Sequence, residues 1–225
     1  MKSINLLLSL FLFFASTVNA DNLFGLFSRG VKGSGDIVTV ERDITEFSRL
    51  KSTGSFDVNV SVGEKASLKI TYDDNLIELI DTEVHGKTLE ISSDESFNSK
   101  HNCIIEITVT SLDEVRLSGS GDINIYNVDT DLFELSISGS GDIYAEGKAN
   151  EVELSIAGSG DIDCRDLIGH DAYVKVSGSG DVKVFADKLL EARVSGSGDV
   201  AYYGNPEDVS QSVSGSGTIR KKRGR

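Results

Sequence analysis

Five aspartates occupy the same position of a repeated phrase and are the residues best placed to do chemistry. Each ends a Gly-Ser-Gly-Asp sequence, and they are Asp122, Asp142, Asp161, Asp181 and Asp199. If the repeats stack, the carboxylates line up, and calcium or another hard cation could bridge successive carboxylates. The favoured interpretation is structural: each carboxylate accepts backbone N–H groups of its own corner, as in an Asx turn. Apart from this calcium candidate, we expect no cofactor.

A second group of residues has the types that act on polysaccharides. It lies within one repeat and comprises Asp161, Asp163, Arg165, Asp166 and His170. Catalysis of that kind needs carboxylates, a base and often a cation gathered on one face. No neighbouring repeat adds a second histidine or a matching acid pair, and the short turns leave no long loops to wall a cleft. The sequence therefore predicts no catalytic residues, with a polysaccharide lyase or hydrolase as the alternative.

Histidines and cysteines add no metal site to these candidates. His85, His101 and His170 are scattered and have no metal-ligand spacing. Cys103 and Cys164 fall at apolar positions of alternating runs, which predicts buried thiols. Two cysteines in an exported chain also permit a disulfide, and the sequence leaves that alternative open.

The repeated phrase defines the elements that must position these residues. Its copies begin at Gly119, Gly139, Gly158, Gly178 and Gly196, and a sixth at Gly215 ends in Thr218. The steps of 20, 19, 20, 18 and 19 residues are typical of a stacked repeat. The predicted corner glycines are Gly119, Gly121, Gly139, Gly141, Gly158, Gly160, Gly178, Gly180, Gly196, Gly198, Gly215 and Gly217.

Apolar residues alternate with polar ones on both sides of each phrase, so each unit reads as strand, sharp corner, strand. An antiparallel hairpin is one way to arrange such a unit. The constant phase of the copies favours the other, in which like residues stack coil upon coil. The predicted fold is all-β, a right-handed parallel β-helix with coils of about 18–21 residues.

The phrase Ser-Gly-Ser-Gly-Asp-Ile/Val resembles a bacterial family, the putative auto-transporter adhesin, head GIN domain family. The earlier run from Phe47 through Asp57-Val58-Asn59-Val60 and Gly63 to Leu68-Lys69-Ile70 is similar too, as are Leu76 and Leu89-Glu90-Ile91. The resemblance covers roughly residues 31–219. It implies a right-handed β-helical fold, export and adhesion, and the family has no established activity.

The chain divides into four parts by composition. Residues 1–20 predict a secretory signal peptide, with Lys2, an apolar stretch and a small-residue cleavage site at Val18–Ala20. Residues 21–32 form a lead-in with Leu23, Phe24, Leu26 and Phe27, expected to cap the solenoid. A single β-helical domain is expected over 33–219, with clean repeats over 115–219 and its register beginning at Gly33. Residues 220–225 form a basic tail that we expect to be solvated.

Charge and aromatic content limit the classes of partner that the chain is expected to bind. The net charge of −14 opposes binding to nucleic acid and other polyanions. Tyrosines are few, and Tyr126 and Tyr144 fall in different columns, so the sequence predicts no aromatic strip.

These observations predict an exported, non-enzymatic β-helix that acts as an adhesin-like surface-binding module. The alternatives are a polysaccharide-acting enzyme and a cation-stabilised envelope scaffold. An envelope or surface glycan or protein is the expected kind of partner, in the periplasm, at the cell surface or after secretion. The short apolar stretch of the signal argues against an integral membrane protein.

Overall fold

A computed structural model describes residues 30–223 of the chain. The predicted signal sequence, and the apolar residues of the lead-in from Leu23 to Phe27, lie outside the described residues. Within 30–223 no helix has the length and apolar character that a membrane crossing requires. The elements are β1 (Val31–Lys32), β2 (Ile37–Arg42), β3 (Arg49–Gly54), β4 (Asp57–Val62), β5 (Ser67–Asp73), α1 (Asp74–Ile77), β6 (Asp81–His85), β7 (Thr88–Ser92), β8 (Phe97–Asn98), β9 (Ile104–Val109), β10 (Glu114–Gly119), β11 (Ile123–Ile137), β12 (Ile143–Gly158), β13 (Ile162–Gly178), β14 (Val182–Phe185), β15 (Leu189–Gly196), β16 (Val200–Tyr203), β17 (Asp208–Gly215) and β18 (Ile219–Lys221).

The strands stack in parallel coils and confirm the predicted β-helix. The strands before the corners pair in the order β7, β3, β10, the ends of β11, β12 and β13, then β15 and β17; we call this the first ladder. The strands after the corners pair in the order β9, β4, the starts of β11, β12 and β13, then β14, β16 and β18; this is the second ladder. The antiparallel hairpin alternative is wrong for the repeats.

Aliphatic columns fill the interior because like residues lie in register. The residues that follow the corner aspartates are all buried: Ile123, Ile143, Ile162, Val182 and Val200. The residues two before the corner glycines are buried in the same way: Leu117, Ile137, Ile156, Val176 and Val194. Cys164 occupies one inward position, and Cys103 lies just before β9; both are buried and free. Burial raises the pKa of both thiols, that of Cys103 to about 12.

Corner geometry depends on glycine for two reasons. The first glycine of each corner in the clean repeats has φ between +133° and +157°, which L side chains rarely adopt. The second glycine is required by close stacking instead. A Cβ on Gly141 would lie 2.0 Å from the carbonyl oxygen of Gly121 in the coil beneath. Successive coils can therefore approach within ladder distance only without side chains there.

The order of the coils departs from the order of the chain at the N-terminal end. β3, which contains the degraded corner at Gly54, pairs with β10 on one side and β7 on the other. The coil of β3 and β4 thus lies between the later coil of β7 and β9 and the coil of β10. The insertion between β4 and β7 supplies β5 and β6, which pair antiparallel with β9 and β7.

The expectation that the solenoid register begins at Gly33 is wrong. The strand that follows this first Gly-Ser-Gly-Asp copy, β2, pairs antiparallel with β5 at an exposed edge. The copy instead wraps the buried carboxylate of Asp73, whose Oδ1 accepts the N–H of Gly35 at 2.6 Å and whose Oδ2 accepts the hydroxyl of Ser99 at 2.5 Å. These bonds, that of Ser99 first, lower the pKa of Asp73. The same phrase here builds a loop around a carboxylate.

Two segments pack at the N-terminal end. Residues 75–80 include most of α1, and Leu76, Ile77 and Ile80 are buried. Residues 92–102 contain β8, which pairs with β1. The ring of Phe97 in β8 packs edge-on against Tyr72, with centroids 5.8 Å apart.

The C-terminal end is open among the described residues, since β17 and β18 each have a partner on one side only. Val209 and Val213 of β17 are 42% and 43% exposed. β18 extends two residues into the predicted basic tail. Lys221 is paired with Tyr202, and its Nζ donates to Asn205 Oδ1 at 2.7 Å. A charged side chain in the last inward column discourages pairing with a further strand.

Candidate ligand-binding face

The five repeat aspartates form a column along one exposed edge, as predicted, but their hydrogen bonds differ from the prediction. Each carboxylate was expected to accept N–H groups of its own corner. The structure shows that Oδ1 accepts the backbone N–H of the aspartate in the next coil, at 2.7–3.0 Å from Asp122 to Asp199. In return, the next aspartate's carbonyl oxygen accepts the N–H that follows the corner, as Ile143 donates to Asp161 at 2.9 Å. The column therefore ties coils together.

Other side chains extend this aspartate ladder at both ends. At one end Asp57 Oδ1 accepts the N–H of Asp122 at 3.4 Å, and its Oδ2 accepts from Asn102 at 2.9 Å. At the other end Thr218 donates to Asp199 Oδ1 through both its backbone N–H and its hydroxyl. Within residues 30–223 no three His, Cys, Asp or Glu side chains are grouped as metal ligands would be.

The polysaccharide-enzyme candidates do not converge on one reacting position. Asp161 belongs to the aspartate ladder, and Asp163 pairs with Arg165 on the outward side of the second ladder. Asp166 lies 3.4 Å from the hydroxyl of Tyr144. His170 lies in the middle of β13, between the part in the second ladder and the part in the first ladder, and its Nδ1 is 2.7 Å from Asp187 Oδ1. The proximity of these residues in sequence reflects one coil, whose side chains point in different directions.

Aromatic residues gather on the outward side of the second ladder. Four aromatic side chains are half-buried there: Tyr126, Tyr144, Phe185 and Tyr203. Tyr126 and Tyr144 occupy adjacent columns, as predicted, yet their ring centroids are 6.2 Å apart. Phe185 and Tyr203 lie in register on β14 and β16. The sequence did not predict this contact between Tyr126 and Tyr144, since diagonal neighbours on a sheet are within reach of large rings. We call these four residues and the charged groups between them the aromatic face.

Charged side chains between the rings are held by mutual contacts. Asp163 accepts from Arg165 and, at 3.0 Å, from Lys183 of the next coil. Burial alone would raise the pKa of Asp163, but the hydrogen bonds from Arg165 and Lys183 outweigh it and lower the pKa. This carboxylate is ionised at neutral pH and its charge is compensated.

Two further carboxylates on the aromatic face, Glu146 and Asp166, have no salt-bridge partner among residues 30–223. The hydroxyl of Tyr144 lies 3.1 Å from Glu146 Oε2 and 3.4 Å from Asp166 Oδ2. Burial, followed by the contact with Glu146, raises the pKa of Tyr144 to about 12. The phenol therefore stays a donor at neutral pH. The single hydroxyl proton of Tyr144 can be donated to only one carboxylate oxygen at a time. Glu146 and Asp166 therefore retain oxygen atoms that can accept further hydrogen bonds.

The outward side of the first ladder carries a different surface, a shallow groove with a volume of about 400 Å³. We call it the glutamate groove, since Glu114, Glu134, Glu153 and Glu191 follow one another along it in register around Tyr173. Glu114 pairs with Arg116, and Glu191 pairs with Arg193. Loss of solvation in the groove, and then the charges of Glu134 and Glu151, raise the pKa of Glu153.

Comparisons with known proteins agree with this architecture. A family model described as "Putative auto-transporter adhesin, head GIN domain" matches residues 46–206. A solved structure of a putative adhesin from Bacteroides fragilis is 27% identical, with a TM-score of 0.69 over 86% of this chain and 100% of that one. A putative lipid binding protein from Parabacteroides distasonis is 25% identical, with a TM-score of 0.56 over 86% and 99% of the two chains.

A putative adhesin from Parabacteroides merdae is 23% identical with a TM-score of 0.61, over 86% of this chain and 99% of that one, and shares the fold. No curated protein sequence matches the chain.

Proposed function

The chain belongs to the family described as "Putative auto-transporter adhesin, head GIN domain", and from this membership we propose that it is an exported, non-enzymatic, adhesin-like binding module. Export rests on the signal-like residues 1–20. The partner is an envelope or surface component that the outward faces of the solenoid contact. The family and its solved relatives support adhesion in general terms, and the specific role is our proposal.

The observation that carries this proposal is the fixed spacing of outward side chains on the second ladder. Register at the start of each strand, in the columns that contain Ile123 and Asn124, is kept from β4 through β11, β12, β13, β14 and β16 to β18, and it shifts only further along, after Ile125 in β11 and after Tyr144 in β12. Each coil is held to the next by backbone pairing and by the aspartate ladder. Successive outward residues of one column therefore stand about 4.8 Å apart. A rigid, pre-organised surface loses little entropy when a ligand binds to it. Such a surface suits recognition of an extended partner.

A retention assay tests this proposal with the mature chain, residues 21–225. The protein is passed over neutral, acidic and amino polysaccharides and over isolated envelope fractions, and cleavage of each polysaccharide is scored in the same tubes. Retention without cleavage is the expected result. Cleavage would overturn the non-enzymatic assignment and return attention to the coil that contains Asp163 and His170. Failure to be retained by any polysaccharide or envelope fraction would overturn the binding assignment.

A further inference from the structure

We propose that the aromatic face binds an uncharged polysaccharide chain that lies across successive coils. This inference rests on the proposed binding function and names the class of its ligand. Sugar rings have apolar C–H faces and rims of hydroxyl groups. A surface that recognises them therefore needs flat hydrophobic platforms beside hydrogen-bonding groups, with no large excess of cations.

The platforms on the aromatic face are of the required kind and spacing. Tyr126 and Tyr144 form one pair of neighbouring rings, and Phe185 and Tyr203 are a second pair that lies in backbone register on β14 and β16. Three coil steps separate β11 from β14, a distance of about 14 Å at about 4.8 Å a step. Two ring pairs at this separation can contact different sugars of one chain, which favours a polymer over a single sugar.

Hydrogen-bonding groups occupy the interval between the ring pairs. At its centre Asp163 accepts hydrogen bonds from both Arg165 and Lys183. Beside them Glu146 and Asp166 keep acceptor positions that Tyr144 does not fill. Hydroxyl groups of a sugar are donors that these carboxylate oxygens can accept, and charge-assisted hydrogen bonds of this kind are the stronger ones.

Charge separates an uncharged polysaccharide from an anionic one. Both cationic side chains at the centre are already paired with Asp163, whereas Glu146 and Asp166 have no basic partner in the salt bridges of the described chain. The protein as a whole carries a net charge of −14. A polyanionic glycan would meet carboxylates that have no salt-bridge partner, in the repulsive field of an acidic protein. An uncharged chain meets no such repulsion.

The glutamate groove is the contrasting surface and supplies the control. It has one ring, Tyr173, set between Glu153 and Glu191 in the same column. Loss of that ring removes a similar amount of aromatic surface from the opposite ladder. Tyr173→Ser is therefore matched in chemistry to the Tyr126→Ser change, which is one half of the double variant used below, and differs from it in its position on the solenoid.

The test measures affinity for soluble neutral polysaccharides, namely a β-glucan, an α-glucan, a mannan and a xylan, by affinity electrophoresis of the mature chain. At least one is expected to slow the wild-type protein. The double variant Tyr126→Ser/Phe185→Ser should bind that polysaccharide at least about tenfold more weakly, since each stacked ring contributes a substantial fraction of a tenfold change. Tyr173→Ser and the ring-preserving Tyr126→Phe should bind as the wild type does, and thermal melting checks that all variants fold.

Several results would overturn the inference. One is unchanged binding by a folded double variant, and another is loss of binding in Tyr173→Ser alone. Retention only on acidic or amino polysaccharides, or no retention on any polysaccharide, would also refute it. If envelope protein fractions still retained the chain in that last case, the adhesin-like function would stand and only its glycan ligand would be wrong.

Discussion

The Oδ1 atom of Asp161 accepts the backbone N–H of Asp181 in the next coil at 2.7 Å. At this corner the chain turns between the two ladders, and the N–H of Asp181 has no carbonyl oxygen opposite it. The carboxylate of the coil beneath takes the place of that missing acceptor. An aspartate is therefore needed in every coil that carries another coil above it. The sixth copy ends in Thr218, on the last described coil, where the described chain places no such demand.

Removal of one carboxylate of the aspartate ladder, which we call a rung, should lower the free energy of unfolding by the contribution of about one hydrogen bond. Asp161→Ala leaves the N–H of Asp181 without its acceptor, and we expect the free energy of unfolding to fall by about 1 kcal/mol. Asp161→Asn keeps an oxygen at the same place and should lose less. The measurement is urea unfolding at pH 7. Asp129→Ala, which removes an exposed carboxylate outside the ladder, is the control, and a loss as large as that of Asp161→Ala would contradict the role of the rung.

Calcium should not change the stability of the protein. The Oδ1 atoms of the repeat aspartates already accept backbone N–H groups, so a bridging cation would have to compete with these bonds or use one oxygen from each residue. A ligand that binds only the folded state stabilises it by RT ln(1 + L/Kd), where L is the ligand concentration, and so raises the melting temperature as this concentration exceeds Kd. We expect equal melting temperatures in millimolar calcium and in chelator. A reproducible rise with calcium, absent in Asp161→Asn, would establish the cation site instead.

Sequence periodicity predicted the column of aspartates but could not identify their partners. Constant spacing fixes which residues stack, since a parallel ladder keeps residues in register coil after coil. The acceptor of a particular N–H depends on how sharply the corner turns, which spacing does not encode. The position of Asp161 in the column was thus predicted correctly, whereas the donor of its hydrogen bond, the N–H of Asp181, was not.

Two other failures have the same physical origin. The copy at Gly33 has the repeat phrase, but the strand after it, β2, pairs antiparallel with β5, and the nearby carboxylate of Asp73 organises the phrase as a loop. The contact between Tyr126 and Tyr144 is diagonal across a register shift in β11. Local sequence predicts columns well, whereas contacts between columns and the pairing of insertions depend on tertiary structure.

Close stacking at the second corner glycine should make any side chain costly there. Gly141→Ala places a Cβ 2.0 Å from the carbonyl oxygen of Gly121, and the backbone of one coil must shift to relieve the contact. We expect a loss of about 1–3 kcal/mol in the free energy of unfolding, as for overpacked cores. Ser140→Ala changes the exposed residue beside it and should be close to neutral. Equal effects of the two substitutions in denaturant unfolding would argue against tight corner stacking.

Loss of solvation in the glutamate groove, and then the charges of Glu134 and Glu151, disfavour the ionised form of Glu153, so the contribution of this residue to stability should rise as the pH falls. The pKa of Glu153 is raised above its ordinary value of 4.5, so the folded state takes up a proton at a higher pH than the unfolded state. By linkage, the penalty of this carboxylate is present at neutral pH and disappears as the pH falls through the raised pKa. Glu153→Gln removes the penalty at every pH. We therefore expect it to be more stable than the wild type at pH 7, by about 0.5 kcal/mol, and the difference to vanish on acidification.

The matched control is Glu191→Gln in the same column. Its carboxylate is paired with Arg193, so the same substitution removes an attraction instead of a repulsion. Glu191→Gln should be no more stable than the wild type at pH 7. Urea unfolding of the three proteins between pH 7 and pH 4 measures the differences, in which the titration of all other groups cancels. Two results would contradict this prediction: a Glu153→Gln variant that is less stable than the wild type at pH 7, and one whose advantage grows as the pH falls. Either would show that the groove does not disfavour the ionised form of Glu153.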